Sequence, residues 1–361
     1  MSKAAELAKS GDTLTNQPSG RKNIAFNGAM QVAQRGTSAT GIGNADIFAT
    51  CDRWEIQGSS AGRLTMTQTA DGPSGFANCI KLDCTTADTS IATGEYLILR
   101  QLFEGQDLQQ IKKGTSDAEL ITVSFYVKAS AAFNFNLELF DRDNSRGVSK
   151  LFATTTDWVK HSITFPADTT GAFDDDNAHS LDLAFWLHAG ASYTGGTLQT
   201  SWIGNTNANR AAGISSFYSS TDNNFFITGV QMEIGSQATS FEDRSFGDEL
   251  SLCRRYYWDT YNGVAVGTNT GTTGAVGMSA DGNNYQNIAL GNFPTTMRTT
   301  PTMAIYNPIT GTAGSIRGDS SNFSECTILN RGVNFYCFNM NNVAIGANTF
   351  VSGHVTADAE L

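Results

Sequence analysis

Residues 120 to 129 read LITVSFYVKA, and the alternation in that stretch decides the fold. Ile121, Val123, Phe125 and Val127 fall on one side of an extended chain, and Thr122, Ser124, Tyr126 and Lys128 on the other. A helix would scatter these residues around its axis. A strand, whose side chains alternate with period two, gathers the apolar set on one face. The stretch therefore reads as a half-buried antiparallel strand.

The same pattern recurs on both sides of it. FNFNLELF points Phe133, Phe135, Leu137 and Leu139 inward, HSITF points Ile163 and Phe165, and SLDLAFWLHAG points Leu181, Leu183, Phe185 and Leu187. Short strands with turn residues between them predict a β-sandwich. The strand NNFFITGVQMEIG closes it, and beyond residue 258 short strands with Gly and Asn turns predict a second, smaller β domain. A chain of 361 residues has room for two such units.

Between them lies RSFGDELSLCRRYYWDTYNG, residues 244 to 263, which reads as the one full helix. Ser245 is its expected N-cap, with Asp248 three positions on and Asp248 and Glu249 at the positive end of the dipole. Phe246, Leu250, Cys253 and Tyr257 form one apolar stripe, and Leu252 and Tyr256 a second beside it. Two stripes predict two surfaces to bury against, either the two β domains or one domain and another copy of the chain. The expected layout is an arm and linker over 1–22, a sandwich over 23–243, a connector helix over 244–258 and a C-terminal β domain over 259–361.

Composition narrows the function. Only 16% of residues are charged and 36 are Gly, so the surface is uncharged polar, which suits an extracellular or virion-type β protein. The formal charge is -11 and no lysine follows Lys160, which argues against a nucleic-acid partner, since phosphate backbones are held by clustered Lys and Arg. The six cysteines, Cys51, Cys79, Cys84, Cys253, Cys326 and Cys337, form no C-x-x-C pair and read as reduced thiols in apolar surroundings. MSKAAELAKSGD has no apolar core of a signal peptide, and no 18-residue apolar run could span a bilayer, so assembly in the cytoplasm without membrane insertion is expected. Ser2 could cap a short helix over Lys3 to Ala8, too short to hold without a partner to pack on.

Four segments in order carry a resemblance. NIAFNGAMQVAQRGTS with CDRWEI, GVQMEIGSQATSFEDRS, RSFGDELSLCRRYYW, and FPTTMRTTPTM with the terminal VTADAEL resemble phage tail and virion appendage proteins that carry a jelly roll like carbohydrate-binding modules. The likeness spans most of the chain from Asn23 to Leu361. It implies an all-β protein with an N-terminal jelly-roll sandwich, a homotrimer, other virion proteins as partners of the N-terminal arm, and a host cell-surface glycan as ligand. No sugar-contacting residue lies in a matched motif.

The candidate site residues come from the residues themselves. Asp182, Trp186 and His188 lie on the outward face of their strand, and Tyr193, Trp202 and Tyr218 lie in the Gly-, Ser- and Asn-rich stretch from Ala189 to Ser220. An aromatic plane flanked by polar groups suits a sugar ring, whose C–H face stacks on an indole. The competing reading is that another part of the protein covers Trp186. Asp141, Asp143 and Asn144 in LFDRDNSRG, like Asp174, Asp175 and Asp176 in FDDDNAH, could ligate Ca²⁺. Neither turn has the glutamate of an EF-hand loop, which favours solvated hairpin turns, and no motif requires a cofactor. Trp54, with Asp52 and Arg53, reads as a core anchor beside an ion pair.

No nucleophile elbow, H-E-x-x-H or phosphate loop is present, and the expectation is a non-enzymatic tail fibre or adhesin. A head decoration or fibre-adaptor protein, and a capsule or lipopolysaccharide depolymerase, are the alternatives.

Overall fold

The computed structural model describes residues 21–279, 285–319, 321–324, 326–341, 345–346 and 348–361. The arm and linker expected over 1–22 lie, save Arg21 and Lys22, outside the described residues.

The N-terminal part is built from β1 (Ser38–Ile42), β2 (Asp46–Phe48), β3 (Glu55–Ser59), β4 (Arg63–Thr69), β5 (Cys79–Thr86) and β6 (Tyr96–Glu104). It continues with β7 (Ile121–Ala129), β8 (Asn134–Asp141), β9 (Arg146–Ala153), β10 (Val159–Phe165), β11 (His179–Ala189), β12 (Ile203–Gly204) and β13 (Asn224–Ile234). The first sheet runs in the order β1-β4-β5-β13-β7-β10 and the second in the order β12-β9-β8-β11-β6-β3-β2. The chain crosses between sheets at β1–β2, β3–β4, β5–β6, β6–β7, β7–β8, β9–β10, β10–β11 and β12–β13, so it winds as a jelly roll with antiparallel neighbours.

The alternation that announced β7 is what closes the sandwich. Ile121, Val123, Phe125 and Val127 enter a core with Phe135, Leu137 and Leu139 of β8 and Leu181, Leu183, Phe185 and Leu187 of β11. Phe185 meets Phe125 edge-on at 5.1 Å and Trp54 at 6.3 Å. Trp54 is a fully buried anchor whose indole N–H donates to the Asn27 carbonyl. Five cysteines, Cys51, Cys79, Cys84, Cys253 and Cys326, are buried as free thiols.

The helix, α1 (Phe246–Arg254), is shorter than expected. Ser245 caps it, accepting from the Asp248 N–H, but Tyr257 and Trp258 have left it for a strand, β14 (Tyr257–Asp259). The backbone there is claimed by β22 (Phe350–Asp358), which pairs Tyr257 with Asp358 and Asp259 with Thr356. The buried face is also rotated from the expected stripe. Phe246 is 56% exposed and Leu250 half-buried, while Glu249, Cys253 and Tyr256 are buried and Leu252 packs on the sandwich core. Glu249 belongs to this face because its carboxylate accepts the backbone N–H of Asn27 at 2.6 Å and pairs with Arg244 at 3.3 Å.

The C-terminal part adds β15 (Val276–Ser279), β16 (Tyr285–Asn292), β17 (Thr302–Tyr306), β18 (Ser315–Gly318), β19 (Asn322–Ser324), β20 (Cys326–Arg331) and β21 (Phe335–Asn341). β22 is its hub, bonded to β14, β15, β17 and β18, while β16, β21 and β20 form a separate sheet. Phe293, Met297, Ile305, Ile316, Val351 and Val355 are among the residues of its core. Tyr256 belongs to the sandwich core and Trp258, two residues on, packs on the C-terminal one, so the chain changes cores at the end of α1.

Candidate functional site

The outward face of β11 is not open. Every residue from Ser180 to His188 is buried, on both faces of the second sheet, because the chain after β11 folds back over it. Trp186 is 1% exposed beneath Tyr193, at 5.2 Å, and the Arg210 guanidinium, at 4.9 Å. Ala211 and Ile214 complete this small second core, and Arg210 is fixed by two hydrogen bonds to Glu138. Covering the face also requires Glu138 to accept the Trp186 indole N–H at 2.8 Å, which satisfies a buried donor.

The six expected platform residues are thereby divided. Asp182 is buried among Arg142, Arg100 and His179. Burial alone would raise its carboxyl, but the His179 hydrogen bond and the two guanidinium charges outweigh burial and hold it at about 2. His188 and Tyr218 pack edge to face at 5.2 Å, both fully buried, and burial lowers the imidazole's pKa. Trp202 stands apart, 8% exposed, donating to the Pro166 carbonyl. Of the six, Tyr193 alone is half-exposed. A sugar cannot stack on Trp186, Trp202 or Tyr218 in this arrangement.

The turn of Asp141, Asp143 and Asn144, weighed as a Ca²⁺ site against a solvated hairpin turn, holds a protein cation. The buried Lys113 ammonium bonds the Asp141 carboxylate, Asp168 at 3.1 Å, and the carbonyls of Thr170 and Gly171. Asn144 turns its amide N–H groups toward Asp141, presenting donors where a metal needs acceptors, and Asp143 accepts the Asp174 backbone N–H.

A further aromatic surface lies on the outer face of the first sheet, where Trp158 and Tyr126 are half-buried and Phe226 is 9% exposed. Register sets Lys81 of β5 opposite Phe226 of β13, and Phe226 opposite Lys128 of β7. Trp158, just before β10, continues the row, since Val159 pairs with Val127. The order across four strands is therefore cation, ring, cation, ring. The Lys128 Nζ sits 4.6 Å from the Phe226 centroid and 5.3 Å from that of Trp158, and Lys81 lies 5.8 Å from Phe226. Such contacts each contribute roughly 0.5–1 kcal/mol at partly exposed sites.

A second row sets Thr228 and Lys160 on either side of Tyr126, with the Lys160 Nζ 5.7 Å from the phenol ring. Phe76 closes the end of the face, 5.4 Å from Tyr126 and 4.9 Å from Phe241. Phe76 can lie there because β13 bulges at Gly229, whose φ of +63° suits glycine and where a Cβ would sit 2.7 Å from the Phe76 ring. Lys128 is paired with Asp71 and Lys81 with Asp83, while Lys160 is exposed. The Trp158 indole N–H is buried without a hydrogen-bond partner among the described residues. The half-buried rings of Trp158 and Tyr126, with ammonium groups beside them, make a surface that offers stacking and hydrogen bonds together.

Compared with models of known families and with curated proteins, the sequence matches none. Among solved structures it is similar in outline to a family 4 carbohydrate-binding module, with 12% identity, 58% of this chain and 98% of that one covered, and a TM-score of 0.32. It is similar to the enzymatically active domain of tailspike protein 4 of bacteriophage CBA120, with 10% identity over 59% of this chain and 21% of that one, and a TM-score of 0.31. A family 11 carbohydrate-binding module of a Clostridium thermocellum cellulosomal cellulase follows, with 12% identity, 54% and 95% covered, and a TM-score of 0.28.

Part of the outer face is visible in the quoted strand, where Tyr126 and Lys128 already point away from the core. Phe226 and Trp158 join them only through strand pairing, which sets Phe226 beside Lys128, 98 positions away, and Trp158 beside it from 30 positions on.

Proposed function

We propose that the protein binds a glycan across the outer face of its first sheet, without covalent chemistry, as the attachment component of a phage virion appendage. The row Lys81–Phe226–Lys128–Trp158 carries this reading. Four strands at about 4.8 Å spacing give a track of roughly 14 Å, several sugar rings long. The half-buried faces of Trp158 and Tyr126 take the C–H faces of the sugars, and the lysines take their oxygens. The virion setting is supported by the ordered motif resemblance from Asn23 to Leu361, and a homotrimer, with the exposed Phe246 between copies, belongs to the same reading.

A glycan array probed with the full chain should return a consistent ligand class, and Trp158→Ala should weaken that binding about tenfold or more with the near-UV spectrum otherwise retained. Lys160→Ala should lower affinity further for carboxylated or sulfated members than for neutral ones. An array without hits, or a Trp158→Ala protein that binds as wild type, would remove the proposal. A single-chain mass by sedimentation would remove the trimer.

A further inference from the structure

Three titratable side chains that take no part in the aromatic row meet between the sheet ends. Asp88 lies in the exposed loop between β5 and β6, Glu95 immediately precedes β6, and His188 is near the end of β11. Their ligand atoms all lie within 4.8 Å of one another. The His188 Nε2 faces Asp88 at 3.9 Å.

Each group is held in place by other parts of the chain. Asp88 accepts from Ser60 Oγ at 3.0 Å and from the Ser90 N–H, and Glu95 accepts from the N–H groups of Ala61 and Ala92. Gly190 lets the loop cross next to β11, since a Cβ there would sit 2.0 Å from the Ala92 carbonyl. His188 is fully buried and its Nδ1 bonds Ser216 Oγ at 2.8 Å. A ring donating from Nδ1 leaves the Nε2 lone pair facing the two carboxylates, and Nε2 has no hydrogen-bond partner among the described residues. At 3.9 Å the imidazole is too far from Asp88 to hydrogen-bond. A cation lying about 2.0–2.2 Å from each ligand atom spans that gap.

We propose that Asp88, Glu95 and His188 form a site for a divalent first-row transition ion of the zinc class. One imidazole nitrogen and two carboxylate oxygens suit such an ion better than Ca²⁺ or Mg²⁺, which take oxygen ligands. Two carboxylates and a neutral ring balance its charge. The Ser216 hydroxyl orients the imidazole from behind, the usual role of a group bonded to a ligand's second nitrogen. The ion fastens the 87–95 loop to β11.

The test is titration of the full chain, stripped with chelator, with Zn²⁺ and with Co²⁺. One equivalent should bind, Co²⁺ should give a visible absorption band, and Glu95→Gln and His188→Gln should each weaken binding roughly tenfold or more. Glu95 is half-buried, so its variant keeps the test open if His188→Gln does not fold. Absence of stoichiometric binding, unchanged affinity in the folded variants, or Ca²⁺ competing equally with Zn²⁺ would overturn the proposal.

Discussion

Lys113 shows how one residue can replace a ligand that its neighbours appear to call for. Asp141 and Asp168 would form an acidic pocket, and the buried Lys113 ammonium bridges them while Arg146 pairs with Asp168 at 2.9 Å. Replacement of Lys113 by Met leaves the buried Asp141 carboxylate without a cation, while Asp168 keeps Arg146, and should cost about 3–5 kcal/mol by chemical denaturation at pH 7. Asp182 answers to acid in a defined direction. Its folded pKa of about 2 is below the unfolded value, so its contribution, about 2 kcal/mol, is complete above about pH 5 and lost as pH falls toward 2. Asp182→Asn should therefore be less stable than wild type at pH 7, with the gap closing between pH 5 and 2. A gap that stays constant with pH would contradict the ion-pair account.

Among the elements, α1 separates what sequence periodicity reaches from what tertiary pairing decides. Because Glu249 holds the Asn27 N–H and Arg244, Glu249→Ala should cost about 2–3 kcal/mol by chemical denaturation. The helix start was legible, because Ser245 and Asp248 form a local capping pair. Its end and its buried face were not, since β22 claims Tyr257 and Asn27 claims Glu249, partners 101 and 222 positions away. The inner faces of β7, β8 and β11 were legible for the same local reason, period-two alternation. The cover over Trp186 was not, because a Gly- and Asn-rich segment gives no periodic signal, and its anchor, Arg210 on Glu138, joins residues 72 apart.

At the scale of the whole molecule, the two β units are joined through buried charge. Arg53, fully buried and in the left-handed region at φ +70°, pairs with Glu360, donates to the Leu102 carbonyl and lies 3.5 Å over the Tyr256 ring. Arg35 pairs with Asp358 and Glu360 and covers Tyr257 at 3.6 Å, while Arg255 and the Tyr256 hydroxyl both bond Glu104. Burial pushes the Asp52 and Asp259 carboxyls beside this junction up to about 6, against an unfolded value near 3.8. The folded state then binds more protons than the unfolded one between about pH 4 and 6, so these two groups weaken the junction as pH rises through that window. With so many partners crossing between the units, the protein should unfold in a single transition by calorimetry. Glu360→Ala removes the carboxylate facing Arg53 and leaves a buried guanidinium without its counter-ion, a loss of about 3–5 kcal/mol. That variant should unfold in two transitions, the C-terminal sheets melting before the sandwich. A single transition at the wild-type midpoint would mean that the junction carries no coupling between the two units.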